Sequence, residues 1–313
     1  MTTALISHPI CLEHQTPLGH PECPDRLRAV LAALERETFT FLHRIEAPIG
    51  DIETVALAHP RAHVDQLLAR VPPPDGPSIV PIDGDTNLSP ASGEAALRGV
   101  GGLVRAVDGV VSGEFSNAFC AVRPPGHHAE RERAMGFCLF NSVAIAALHA
   151  REVHGLKRAA VVDFDVHHGN GTQDIFERDP DLFFASTHQW PLYPGTGSAD
   201  ERGVAGNILN VPLAPGSTGL EFQNAMAQTV LPALEAFHPD IIFISAGFDA
   251  HAADPLAHLR LREADFAWAT AEILKVADRV CSRRVVSTLE GGYDLPALAA
   301  SAAAHVEALM TAG

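Results

Sequence analysis

Lysine is almost missing from this sequence: Lys157 and Lys275 are the only two in 313 residues, and Lys+Arg together number 22 against 38 Asp+Glu. A net charge of −16 cannot neutralise a phosphate backbone, which excludes nucleic acid as a partner and leaves only weak steering toward cationic substrates. Cysteine is sparse and odd in number. Cys11, Cys23, Cys120, Cys138 and Cys281 contain no C-x-x-C pair, which excludes a disulfide frame and a structural zinc cluster and fits the reduced thiols of a cytoplasmic protein. No apolar run reaches the roughly 18 residues of a membrane span, and residues 1–14 lack a basic region followed by a long apolar stretch, so an unexported protein without a membrane partner is expected. Repeats and polar tracts are lacking as well, which removes repeat arrays and disorder.

What remains is a chain with 47% hydrophobic residues and enough length to bury a large core. Short β-branched runs at 118–122, 159–163, 182–186, 208–211, 241–245 and 285–289 read as buried strands. Between them, Ala/Leu-rich segments at 24–35, 60–70, 92–111, 141–154, 220–237, 263–280 and 295–310 read as helices, with cap signals such as Asn141 and Thr218. Alternation of this kind predicts an α/β protein with a mainly parallel central sheet flanked by helices on both faces. Residues 71–77, rich in proline, read as a surface loop inside one domain spanning 1–313.

Histidine is abundant, 17 in all, and its placement is informative. Ligands of open α/β sheets collect beyond the carboxyl ends of the strands. Four strands end there in chemically active groups: Arg123-Pro-Pro-Gly-His127-His128; Asp163-Phe-Asp165-Val-His167-His168-Gly-Asn170; Gly247-Phe-Asp249-Ala-His251; and Glu290-Gly-Gly-Tyr293. On an extended segment Asp165 and His167 leave the same face, and Asp249 adds a second carboxylate, giving three ligands and open positions, as a catalytic zinc requires. His127 and His128 are suited to general acid and base work, with Asp163 and Asn170 as orienting partners. Tyr293, after a Gly-Gly hinge, is placed to donate to a developing oxyanion. Phe137 and Tyr193, aromatic residues in glycine-containing loops, are expected to line a narrow entrance.

These motifs, together with His20-Pro-Glu-Cys-Pro-Asp-Arg26, Asp83-Gly-Asp-Thr86 and Gly136-Phe-Cys-Leu-Phe-Asn141, resemble the zinc-dependent histone deacetylase superfamily, nearest its class II branch with the bacterial amidohydrolases and acetylpolyamine amidohydrolases. The resemblance implies the arginase/deacetylase fold and one zinc on Asp165, His167 and Asp249. It implies His127 and His128 as the proton-transfer pair, Tyr293 as the carbonyl-polarising residue, and Gly136, Phe137, Tyr193 and Leu256 at the substrate tunnel. Asp85 or Asp83 is the rim acid expected to hold substrate backbone. A structural potassium ion is implied near Asp163, Asp165, His167, Ser186 and Thr187. The implied reaction is hydrolysis of an N-acyl amine by metal-activated water. Three departures are visible: Tyr193 where relatives often carry Phe, Asn170 where some carry Asp, and Leu256 where a polyamine-selective branch carries Glu, which lowers the weight of specific polyamine recognition.

Two rival readings come from other classes. A binuclear manganese ureohydrolase of arginase type would need further carboxylates, whereas Gly169 and His251 stand where they are expected. A catalytically silent acyl-group sensor would be expected to have lost Tyr293 or a metal ligand, and none is lost. Homo-oligomer formation through Ala-rich helical faces such as 299–304 is a further expectation.

Overall fold

The computed structural model describes residues 2–311. Its strands are β1 (Thr3–Ser7), β2 (His43–Glu46), the short pair β3 (Val80–Pro81) and β4 (Asn87–Leu88), β5 (Asn117–Cys120), β6 (Ala159–Asp163), β7 (Leu182–Gln189), β8 (Ile208–Leu213), β9 (Ile241–Ala246) and β10 (Val285–Leu289). Eight of them form one sheet in the order β2-β1-β5-β10-β9-β6-β7-β8, and every pairing in it is parallel. The fold class read from the sequence is the one observed. β6, β9 and β10 are buried along their full length, which is why they read as continuous apolar runs rather than alternating ones.

The helices are α1 (Pro24–Ala33), α2 (Ile52–Val55), α3 (Arg61–Ala69), α4 (Ser92–Ser112), α5 (Ser142–His154), α6 (Asn170–Phe176), α7 (Gly219–Ala225), α8 (Leu231–Phe237), α9 (Glu263–Val280) and α10 (Leu295–Thr311). α4 packs with α5, while α10 packs with α9 and α1, and these two groups cover the sheet. Asn141 caps α5 by accepting from the Ala144 N–H at 3.0 Å, and Gly155 ends it in the left-handed conformation. No helix among the described residues is long and apolar enough to cross a membrane.

Several sequence expectations need correction. The segment 220–237 is not one helix: a π-turn at Met226–Val230 separates α7 from α8, because Pro232 has no N–H to offer the carbonyl four residues back. β1 and β2 gave no signal. β2 is a largely exposed edge strand, His-Arg-Ile-Glu, whose charges suit an edge and hide a strand from any apolar pattern. On α10, Ser301, Ala302 and Ala303 are buried where the helix meets its neighbours within the chain, while Ala300 is exposed.

Topology places the chemistry. β5, β10, β9 and β6 are contiguous at the centre of the sheet, so the four polar clusters that follow them in sequence open onto one stretch of rim. The β3–β4 ladder holds the turn at 82–86 beside it, with the Asp83 carboxylate accepting the backbone N–H groups of Asp85 and Thr86.

Candidate active site

Beyond β6 the chain leaves the sheet, so Asp165 and His167 do not share a face of an extended strand as expected. They converge by a local turn instead: one oxygen of Asp165 accepts the His167 backbone N–H at 2.9 Å and faces the same residue's Nδ1 at 3.1 Å. Asp249, from the end of β9, places Oδ2 3.0 Å from that Nδ1. Donor atoms of the three residues all lie within 4.8 Å of one another, and all three residues are buried. The other carboxylate oxygens are held by backbone, Asp165 Oδ2 by the Gly291 N–H and Asp249 Oδ1 by the Val166 N–H, both at 2.8 Å.

The glycines that follow the strands matter as much as the ligand-type residues. A Cβ on Gly247 would stand 2.0 Å from Asp165 Oδ2, and one on Gly291 would stand 2.1 Å from Asp249 Oδ2. Backbone without side chains is therefore what lets two carboxylates and an imidazole meet. Two buried carboxylates against one imidazole leave surplus negative charge out of water, and a divalent cation answers that cost. The donor set fits a zinc-like ion: one imidazole and two carboxylates, with room for exchangeable ligands.

The histidine pair sits on the turn after β5. Glu290 accepts the backbone N–H groups of Gly126 and His127 at 2.7 and 3.2 Å, and this fixes where the rings point. His127 Nδ1 lies 2.9 Å from Asp163 Oδ2, and His128 Nδ1 lies 2.7 Å from Asn170 Oδ1, the two ring centroids being 4.0 Å apart. Burial opposes charge on both rings. At His127 the Asp165 and Asp163 carboxylates outweigh it and hold the pKa well above the ordinary value. At His128 burial, joined by the positive potential of His127 and His167, holds it well below. The two rings are therefore poised in opposite protonation states.

Asn170 is better supported than its lack of charge suggests. Its Nδ2 donates to Glu130 Oε1 at 2.7 Å, which fixes the amide orientation and turns Oδ1 toward His128. His128 must then carry its proton on Nδ1, leaving the Nε2 lone pair free. Glu130 was not singled out by sequence reasoning; it stands three residues past His127, but only the fold carries it to Asn170.

Tyr293 was expected on a flexible hinge, and here the structure differs. Arg26, fully buried, donates from Nε to the Gly292 carbonyl at 2.6 Å and from Nη2 to the Glu290 carbonyl, and its guanidinium lies 4.9 Å from the centroid of the Tyr293 ring. Asp254 accepts the Tyr293 N–H at 2.7 Å. The loop is anchored from both sides. Arg26 is itself held by Glu22, a buried carboxylate that also binds Arg123 through both of its oxygens. Glu22, Arg26 and Arg123 occur in the motifs; Glu22 and Arg26 are four apart, but the pairing of Glu22 with Arg123 spans about a hundred residues of sequence and is invisible there.

Of these groups, His128, His167 and Tyr293 reach a cavity of about 240 Å3 lined by Asp85, His128, Gly136, Phe137, His167, Leu192, Tyr193, Leu256 and Tyr293. Every residue expected at the tunnel lines it, and Leu192 is added. The Tyr193 ring stands edge-on to His128 at 5.1 Å, and Phe137 edge-on to Tyr293 at 6.0 Å. Phe137 is held at φ 68, a costly conformation for an aromatic residue, with Thr86 Oγ1 accepting its N–H at 3.1 Å. A larger depression of about 520 Å3 beside Leu148 and Arg151 carries no such convergence, so volume alone does not mark the site.

Other expected residues fall outside the cavity. His251 is not among the Asp165, His167 and Asp249 donor group, its Nε2 lying 3.5 Å from Glu263, and among the described residues no second donor set adjoins the first. Ser186 and Thr187 lie on β7 beside Asp163; the Ser186 hydroxyl is paired with His188 Nδ1 at 2.9 Å, while Thr187 Oγ1 is buried without a partner.

A phenol and an imidazole on one pocket wall, with a second imidazole packed behind the first, are what opening an amide bond asks of a protein. A family model described as a histone deacetylase domain matches residues 20–309. Histone deacetylase 14, chloroplastic, of Arabidopsis thaliana is 39% identical over 309 residues, covering 93% of this chain and 73% of that protein. The histone deacetylase-like amidohydrolase of Pseudomonas aeruginosa is 39% identical over 280 residues, covering 88% and 73%. The crystal structure of the HDA15 HD domain matches with a TM-score of 0.91 at 34% identity, over 100% of this chain and 89% of that one. The chain belongs to the histone deacetylase family and is an amide-hydrolysing enzyme of the arginase/deacetylase fold.

Proposed function

We propose that the enzyme hydrolyses N-acyl amines of acyl-lysine type, the whole chain acting as one catalytic domain, with a single zinc ion held by Asp165, His167 and Asp249. One observation carries the reading: the cavity walled by Phe137, Leu192, Tyr193 and Leu256 ends on His128, His167 and Tyr293. A pocket this small with apolar walls suits a thin alkyl stem and brings the amide at its end to the floor. Zinc, when bound, supplies Lewis acidity at the carbonyl and the attacking water.

The chain's own residues do the rest. His128, with its proton on Nδ1 toward Asn170, accepts the proton of the attacking water at Nε2. The positive charge of His127 beside it favours the developing negative charge and makes the protonated His128 a ready donor to the departing amine. Tyr293 donates its hydroxyl to the oxygen on which charge accumulates, and Arg26 keeps the phenol in place. Asp85 at the mouth is suited to accept N–H groups flanking the acylated side chain. The same reading places a potassium ion on carbonyl oxygens around Asp163, Asp165 and His167, with Ser186 and Thr187; replacing potassium by tetramethylammonium should lower thermal stability.

The test is turnover of a fluorogenic acetyl-lysine peptide before and after chelation, with metal analysis. Activity should vanish on chelation and return with zinc. Chelator-insensitive turnover, or two manganese ions per chain with urea release, would overturn the reading.

A further inference from the structure

Among the described residues, only two groups bring three or more His, Cys, Asp or Glu donor atoms within 4.8 Å of one another. One is the Asp165 set. The other is Asp108 on α4 with His149 and His154 on α5. We propose that Asp108, His149 and His154 form a second, peripheral site for a divalent transition ion of the zinc type, which clamps α4 to α5 far from the pocket.

The geometry supports this in three ways. Both imidazoles aim Nε2 at the same oxygen, Asp108 Oδ1, at 2.9 Å from His149 and 2.7 Å from His154. Two ligands each about 2.05 Å from a tetrahedral ion stand roughly 3.3 Å apart, so the donors need to spread by only about half an ångström. The Asp165 set shows a similar contraction, with His167 Nδ1 at 3.1 and 3.0 Å from its two carboxylates.

The surroundings permit the spreading and leave room for further ligands. His149 is packed, its side chain 10% exposed, and gives the site a fixed wall, whereas Asp108 at 44% and His154 at 22% face solvent. Two imidazoles among three donors select zinc, cobalt, nickel or copper over magnesium or calcium.

Sequence spacing hides this site. His149 and His154 are five apart, about 140° around an ideal helix, and meet only because His154 ends α5 and Asp108 bridges from the neighbouring helix. The location is remote from the chemistry. Asn141, the cap at the rim end of α5, is 13 residues from His154, about 20 Å of helix. The site therefore lies by the amino ends of β5 and β6, at the opposite edge of the sheet from the pocket.

Equilibrium dialysis of the full chain against chelator-buffered zinc, with cobalt absorption as a report on coordination, tests the assignment. Wild type should bind two ions per chain. Asp108→Asn, nearly isosteric, and His154→Ala should each weaken one of them by at least about 100-fold, more than loss of a ligand's hydrogen-bond partner costs, while acetyl-lysine turnover stays within about twofold. Asp249→Ala should lose the other ion and keep this one, so the two sites are judged separately. Equal ion counts and affinities in wild type, Asp108→Asn and His154→Ala would overturn the proposal, whatever Asp249→Ala shows.

Discussion

Replacing Gly291 by Ala adds a single methyl group at a point where two buried carboxylates press against backbone. Its Cβ would lie 2.1 Å from Asp249 Oδ2 and 2.5 Å from Asp165 Oδ2, whereas a carbon and an oxygen need roughly 3.2 Å or more. At least one carboxylate, or the loop that supplies Tyr293, must therefore move by about 1 Å. Metal ligands tolerate about 0.2 Å, so the shift disrupts at least one of three protein ligands. Zinc affinity should fall by at least about 100-fold, and turnover at saturating zinc by about 100-fold, as expected when reacting groups are misplaced by an ångström. Overpacking should cost roughly 1–3 kcal/mol of stability, small enough for the protein to remain folded. Chelator competition, turnover and thermal unfolding measure the three quantities. Gly99→Ala is the control, since its added carbon meets nothing closer than Ser142 Oγ at 3.5 Å. A folded Gly291→Ala enzyme with wild-type zinc affinity and rate would refute the cradle.

Three further outcomes follow from the same geometry. Tyr293→Phe should lower kcat by about 100- to 1,000-fold with zinc affinity unchanged, because only the oxyanion donor is removed; an unchanged kcat in steady-state assays would remove the phenol from the mechanism. Asn170→Asp places a carboxylate against His128, whose pKa burial now holds well below the ordinary value, so its pKa must rise and the acidic limb of the pH–rate profile must move to higher pH. A profile with the wild-type acidic limb would show that His128 is not the base. Burial opposes charge on Glu22, but Arg123 and Arg26 dominate and hold its pKa at about 2, against 4.5 for the ordinary group. A depressed carboxylate pKa contributes stability that is complete above pH 4.5 and lost as pH falls toward 2. Glu22→Gln should therefore cost roughly 3–5 kcal/mol at pH 7 and less at pH 3; an equal loss at both, by denaturant unfolding, would contradict the ion-pair account.

Much of this was legible without coordinates. Six of the eight sheet strands announce themselves, five of them because a strand buried on both faces reads as an apolar run, and the clusters after four of them named Asp165, His167, Asp249, His127, His128 and Tyr293 as a set. Phe137 and Tyr193 were legible as aromatics in glycine-containing loops, whereas Gly136, Leu256 and Asp85 came through the family resemblance, since a loop side chain's direction has no periodicity to betray it. Tertiary structure alone decided the rest. It set the strand order that makes β5, β10, β9 and β6 neighbours, and the glycine backbones that press against the carboxylates. It also joined Glu130 to Asn170, Glu22 to Arg123, and Asp108 to two histidines of another helix. The physical reason is range. Burial and local hydrogen bonding act on neighbours along the chain and leave a pattern there, whereas a buried ion pair or a shared metal depends on where distant segments meet, which no local pattern records.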